Sequence, residues 1–237
     1  MRSTLSTCPW PPPCWPPCGP SPATTACAAW CCAARARASW PGGDLATLRA
    51  DPVQGAKDLL TPLNEAVALL AQLNAPVIAQ VHGVAAGAGL SLMLQADFVL
   101  AAEGTRFNLA YINLGTSCDV GASWALPRLV GLRRALEIAM LGDTYTALDA
   151  ERLGLVNRVV PAAELDATVQ ELAQRLASGP TQAHGHMRRL MRASFDRDLP
   201  AQLSAEADAF VASARTADLP EGIAAFYAKR PAAFQGR

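Results

Sequence analysis

VHGVAAGAGLSLMLQAD, residues 81–97, joins the end of an apolar strand to a glycine–alanine turn and an apolar run closed by an acid. Its polar side chains are few: His82 opens the turn, Ser91 lies inside the apolar run, and Asp97 closes it. The preceding VIAQV reads as a buried strand, GVAAGAG as the turn, and residues 90–96 as a helix. A turn of this kind presents backbone N–H groups at a helix N-terminus, where partial or full negative charge is stabilised. Gly87, Ala88 and Gly89 are small enough for a ligand to approach the backbone, although the same residues also permit close packing of helix on strand. Familiar loops do not fit. A dinucleotide fingerprint needs glycine at Leu92, a serine elbow needs it at Met93, and no phosphate-loop Lys-Ser/Thr pair follows.

Working outward, Leu59, Leu60, Leu63, Val67, Leu70 and Leu73 recur at helical spacing over 55–73, and Asn74-Ala75-Pro76 ends that helix. DFVLAAE is a second strand and TRFNLAYIN holds a short extended piece. LGTSCDVGASWALPRLVG is a turn feeding a helix. RRALEIAML is a further helix closed by Gly142, and TALDAERLGLVNRVV is a helix followed by a strand, with Thr146 or Asp149 near the helix start. From about 163 the pattern is helical to the end, and Asp218 with Glu221 resembles a capping box at the start of the last helix. Alternating strands and helices predict an α/β core over 41–178, with a helical region over 179–237 docked on it.

Residues 1–40 are of another character. They hold six of the seven cysteines, four of the five tryptophans and eight of the eighteen prolines. CPWPPPCWPPCGP has neither helical nor strand period. A disulfide module lacks a preceding apolar signal region, and a zinc site at Cys14, Cys18, Cys27 and Cys31 sits in a knot of prolines without histidine. The preferred reading is an unstructured leader or the product of a frame slip before about Trp40. Across the whole chain, twenty basic and twenty acidic residues balance. That argues against a nucleic-acid or anionic-membrane partner. No apolar stretch approaches the ~18 residues a membrane span requires, so a cytoplasmic protein is expected.

Candidate chemistry rests on few groups. Gly42-Gly43-Asp44-Leu45 is a second turn with free N–H groups, and two such turns facing one point form a two-donor oxyanion hole. Asp44 reads as an N-cap before an apolar helix. Asp119, between Cys118 and Val120-Gly121, is either an N-cap or a working acid, and local sequence alone favours the cap. Cys118 reads as a small packing group. His82, His184 and His186 show no metal-ligand spacing and read as structural or surface residues.

PGGDL (41–45), APVIAQVHGVAAGAGLSLMLQADFVLAAEGTRF (75–107), AYINLGTSCDVGASWALPRLVG (110–131), ALDAERLGLVNRVVP (147–161) and EGIAAFYAKRPAAFQGR (221–237) together resemble the crotonase, or enoyl-CoA hydratase/isomerase, superfamily. The resemblance implies a crotonase-like ββα spiral core and a C-terminal helical region that builds a homotrimer or a dimer of trimers. It implies an acyl-CoA thioester substrate and no cofactor beyond the coenzyme A that the substrate carries. It also implies a thioester enolate held by two backbone N–H groups, here Gly43 and Ala88. The positions where hydratases of the family carry two glutamates fall on Ser91 and Tyr111, neither of which readily activates water. Asp119 falls where isomerase branches carry a single acid, and its run is most similar to epoxyphenylacetyl-CoA and Δ3,Δ2-enoyl-CoA isomerases. Phe226 and Lys229 resemble a tail pair that contacts coenzyme A, often from a neighbouring subunit. The resemblance therefore implies an isomerase. A hydratase, or a silent acyl-CoA-binding or oligomer partner, is the alternative.

Overall fold

The structure is a computed structural model that describes residues 30–33 and 45–237. After strand β1 (Trp30–Ala33) come α1 (Leu45–Ala50) and α2 (Pro52–Gln72). Asp51 caps α2, its carboxylate accepting the Val53 and Gln54 N–H groups at 3.1 and 3.0 Å, and Pro52 occupies the first helical position, where no N–H is missed. The six apolar residues of the expected stripe are all half-buried, so the covered face of α2 is the one its periodicity predicts, and the helix packs against α1 and α8 (Thr181–Ala193).

The chain then repeats one unit. Strand β2 (Val77–Val81) is followed by β3 (Val84–Ala86) and α3 (Ala88–Met93). Strand β4 (Phe98–Ala102) is followed by β5 (Arg106–Asn108), a 3₁₀ turn at Tyr111–Leu114, and helices α4 (Ala122–Val130) and α5 (Leu132–Leu141). The first strand of each unit joins one sheet and the second joins another. The first sheet is parallel throughout, in the order β1-β2-β4-β7, with β7 at Arg158–Val160. The second has the order β3-β5-β6, with β6 at Tyr145–Thr146 running antiparallel to β5. This is the alternation a ββα spiral demands. All five residues of β2 are buried, as expected of an inner parallel strand covered on both faces. Ile78 and Leu100 face Leu165 and Val169 of α7 (Leu165–Ala177), while Ala79, Val81 and Ala101 face a larger cluster with Met93, Phe107 and Leu126. Helix α6 (Ala147–Leu153) opens with a reciprocal capping box between Thr146 and Asp149.

Three local readings change. Residues 84–86, taken from sequence as part of a turn, form β3, and α3 begins at Ala88 rather than about 90. Three residues flanked by glycines carry no period, and only the distant partner β5 makes them a strand. Within 1–40, Trp30–Ala33 forms β1 and pairs in register with β2, so that edge is covered. The rest of that segment lies outside the described residues, as do Gly43 and Asp44; of the four cysteines of the zinc reading only Cys31, in β1, falls within them. Among the described residues no helix is long and apolar enough to cross a membrane, and no cluster of side chains could hold a metal ion.

Of the helices α8 (Thr181–Ala193), α9 (Leu199–Ala214) and α10 (Asp218–Tyr227), α8 docks through charge, α9 packs on α8 and α10 on α9. Asp97 accepts the Val77 N–H at 2.7 Å and pairs with Arg188 Nε at 2.6 Å and the Arg192 guanidinium at 3.0 Å, with the Asp97 and Arg188 side chains 13 % and 6 % exposed. Arg188 also donates to the Leu70 and Leu73 carbonyls at the end of α2. The contact is close: a Cβ on Gly185 would stand 2.6 Å from the Asn74 Cα. Gly185→Ala is therefore expected to destabilise by about 1–2 kcal/mol despite the helix propensity of alanine, a loss readable by thermal denaturation.

The capping box expected at Asp218 and Glu221 does not form, because both acids hold the chain end instead. Asp218 accepts the Gln235 and Gly236 N–H groups at 2.6 and 2.9 Å. Glu221 binds the Arg230 guanidinium through both oxygens, at 2.6 and 2.9 Å, and accepts the Ala233 N–H. Its carboxyl is pushed down to about 2, chiefly by Arg230.

Candidate active site

The turn between β3 and α3 is set by Gly87, whose φ of 50° and ψ of −128° suit glycine, and whose N–H donates to the Asn108 carbonyl at 3.1 Å. Ala88 is then the first residue of α3, so its N–H has no acceptor within the helix. One turn further along, fully buried Ser91 points its hydroxyl at Tyr111.

Ser91, Tyr111 and Asp119 are the positions that sequence singled out, and the fold brings all three together. Tyr111 Oη donates to Asp119 Oδ1, and Ser91 Oγ lies 2.9 Å from the same phenol oxygen. The phenol has one proton, so the donation to Asp119 leaves Ser91 as donor to Tyr111. The result is a buried relay, Ser91 to Tyr111 to Asp119, ending on a carboxylate whose Oδ2 has no hydrogen-bond partner among the described residues. Burial pushes the Asp119 carboxyl above its ordinary value, and the Tyr111 bond opposes the rise only in part. Burial, followed by the bond to Asp119, also drives the Tyr111 phenol upward, so it stays a neutral donor.

The capping alternative for Asp119 is settled by geometry. Helix α4 is capped by Gly121, with no side-chain bond, and only the Asp119 carbonyl meets its first turn, accepting the Ala122 N–H at 3.0 Å. The carboxylate is free for the relay because the backbone around it is unusual. Val120 sits at φ 52°, where a β-branched residue is an outlier, and Ala110, beside Tyr111, sits at φ 59°. Both non-glycine strained residues of the core thus flank relay members, a placement common at functional sites. Gln95, which the sequence gave no reason to choose, braces this loop. Its buried amide donates to the Ser91 and Val120 carbonyls, both at 3.3 Å. The one signal was an amide inside an apolar run, and its partner 25 residues away is invisible to local pattern.

The remaining candidates lie apart. Asp97 belongs to the Arg188–Arg192 cluster and is spoken for. His184 is lowered by burial, and His186 by burial and by Arg189. Phe226 is 79 % exposed and meets Tyr227 edge-on at 5.8 Å. Lys229, at φ 51°, closes α10: its N–H donates to the Phe226 carbonyl and that of Arg230 to the Ala225 carbonyl, a Schellman ending.

The enoyl-CoA hydratase/isomerase profile matches residues 37–237. The chain belongs to the enoyl-CoA hydratase/isomerase family. It is 39 % identical over 200 residues to the 1,2-epoxyphenylacetyl-CoA isomerase of Escherichia coli K12, covering 83 % of this chain and 76 % of that one. It is 37 % identical over 188 residues to the 2,3-dehydroadipyl-CoA hydratase of the same organism, covering 76 % and 72 %. Among solved structures, an enoyl-CoA hydratase from Bacillus anthracis superposes with a TM-score of 0.78 at 31 % identity, over 83 % of this chain and 76 % of its own. The two-sheet ββα architecture is accordingly the crotonase-like fold, as the sequence resemblance implied.

Proposed function

We propose that the chain is a cytoplasmic acyl-CoA isomerase in which Asp119 moves one proton while two backbone N–H groups hold a thioester enolate. The observation that carries this reading is the single relayed carboxylate. Among the described residues Asp119 is the acid that burial lifts, whereas Asp149 and Glu221 are lowered by hydrogen bonds from Thr146 and Arg230. A base of raised pKa takes a proton from carbon more readily and returns it at the neighbouring position.

Asp119 Oδ2 removes a proton from C2 of a 3-enoyl thioester. The electrons move into the thioester carbonyl, whose oxygen becomes negative and accepts hydrogen bonds from the Ala88 N–H at the head of α3 and from the Gly43 N–H. The same carboxyl then delivers the proton to C4, leaving the 2-enoyl isomer with no atom gained or lost. Coenzyme A enters as part of the substrate and no separate cofactor is needed. The exposed Phe226 and the outward Lys229 suit contact with coenzyme A across a subunit boundary in a homotrimer or a dimer of trimers.

Hydration needs a second group to activate water. Ser91 and Tyr111 occupy those places, and each is committed to the relay. Turnover of a 3-enoyl-CoA in ¹⁸O-labelled water is expected to shift the double bond with no label in the product. Label in a 3-hydroxyacyl product would establish a hydratase and end the isomerase reading. Tyr111→Phe removes the bond that holds the Asp119 carboxyl down, so the acid limb of the kcat/KM profile is expected to move to higher pH. At the same time kcat falls by about tenfold, the value of one hydrogen bond to a charged group.

A further inference from the structure

A groove of about 480 Å³ opens between α2, α4 and α8, and Gln95 and Gly121, which fix the Asp119 loop, form part of its wall. Val67, Ala68 and Ala71 of α2 and the Trp124 ring make one side apolar. Arg189, Arg192 and Arg197 also line it, with Asp196 as the acid of the lining. That acid is already taken: its carboxylate lies 2.8 Å from the Arg128 guanidinium, which stacks 4.2 Å from the Trp124 ring centre. Arg192 shares Asp97 with Arg188.

The other two guanidiniums differ. Arg189 donates only to neutral acceptors, Asn74 Oδ1 at 2.7 Å and His186 Nδ1 at 3.3 Å. Arg197 donates to Gln202 Oε1 at 3.3 Å. Neither has a carboxylate partner among the described residues. Two planar cations without a carboxylate partner therefore share a groove with the apolar side chains of α2 and the Trp124 ring. That arrangement fits a ligand with a hydrocarbon body and an anionic end, and a guanidinium fork matches a carboxylate. A pantetheine arm fits it less well, because its amides require partners and the uncharged polar side chains of the lining are Asn64 and Gln95, whose amide N–H groups already donate to the Ser91 and Val120 carbonyls.

We propose that this groove receives the acyl group and that Arg189 and Arg197 select acyl-CoA thioesters whose chain ends in a carboxylate. The inference rests on the acyl-CoA reading above, and it names the class of acyl group that the same site prefers. The groove is of the size that binds a small ligand, and its two guanidiniums without a carboxylate partner offer the fixed polar contact that discrimination of one terminal group requires.

Calorimetric titration of the whole protein with two saturated thioesters tests it, hexanoyl-CoA and the same chain ending in a carboxylate, hexanedioyl-CoA. The carboxylate-ended ligand is expected to bind about tenfold more tightly, the ratio one charge-assisted hydrogen bond supports. In the double variant Arg189→Gln/Arg197→Gln that preference falls to within about twofold while hexanoyl-CoA binding is unchanged. Arg197→Gln alone, at an exposed position, removes part of the preference and guards against misfolding of the double variant. Equal binding of both ligands by the parent protein overturns the proposal. Equal weakening of both in the double variant also overturns it, since the guanidiniums would then meet the phosphates of coenzyme A. Loss of an oligomer with the preference intact does the same, by assigning the pair to a second copy of the chain. Neither ligand can isomerise, so a preference without any turnover of a 3-enoyl-CoA sinks the isomerase reading and leaves this one standing. Failure of both ligands to bind overturns both.

Discussion

Asp119→Asn is expected to lower the rate of double-bond migration by about 10²- to 10⁴-fold, the range that a positioned general base contributes. The amide keeps an oxygen for the Tyr111 phenol, so the relay geometry survives while the proton carrier is lost. Stability should move the other way. The folded-state carboxyl lies above its ordinary value of 3.8, so between those two values the folded protein holds the proton more tightly than the unfolded chain does. Stability from this group therefore falls as pH rises through that interval, and at neutral pH the ionised form is a net burden. Asparagine removes it. The variant's melting temperature at pH 7 should equal or exceed the parent's, with the advantage shrinking as pH falls through the raised value and gone by about pH 4, near the ordinary carboxylate value. An inactive variant that also melts early would mark Asp119 as structural.

Asp97→Ala is expected to be the most damaging single change to the fold, costing about 3–5 kcal/mol because it strands a buried guanidinium. Arg188 is 6 % exposed at its side chain and would keep its Leu70 and Leu73 carbonyls but lose its counter-charge. The Val77 N–H at the start of β2 would lose its acceptor as well. The melting temperature should fall by about 10 °C, and amide exchange in α8 should rise before exchange in β2 and β4. Uniform loosening of all elements would show that the cluster is not what docks the C-terminal helices.

Much of this architecture is legible in the residues because the determinants are local or repeated. The stripe from Leu59 to Leu73 fixes the buried face of α2, and VIAQV and FVLAA are apolar enough to be read as inner strands. Strand β3 escapes such reading because three residues have no period, and β1 because its pairing partner lies 47 residues on. Asp218 and Glu221 look like a capping box by spacing, yet a chain end arriving 15 residues later claims both carboxylates. At the site, family resemblance picked out Ser91, Tyr111 and Asp119 separately as substitutions and replacements. That they bond to one another is a tertiary fact, since a serine and a tyrosine 20 residues apart announce nothing. Gly43 stands outside the described residues, so the second oxyanion donor rests on resemblance alone.

The left-handed residues around the relay have a consequence for how the loop behaves in time. Ala110, Gly115, Val120 and Gly121 punctuate 110–121 with four positive-φ positions, and Val120 is packed at 2 % exposure with the Gln95 amide bonded to its carbonyl. A segment pinned in this way has few neighbouring conformations to visit. Its carboxylate waits at a fixed address, so a thioester arriving at the site need not freeze a wandering loop before chemistry begins. On the nanosecond scale, backbone order parameters at Tyr111 and Asp119 should match those of the strands rather than those of exposed loops. The loop's conformational entropy is then surrendered once, during folding, instead of on each turnover.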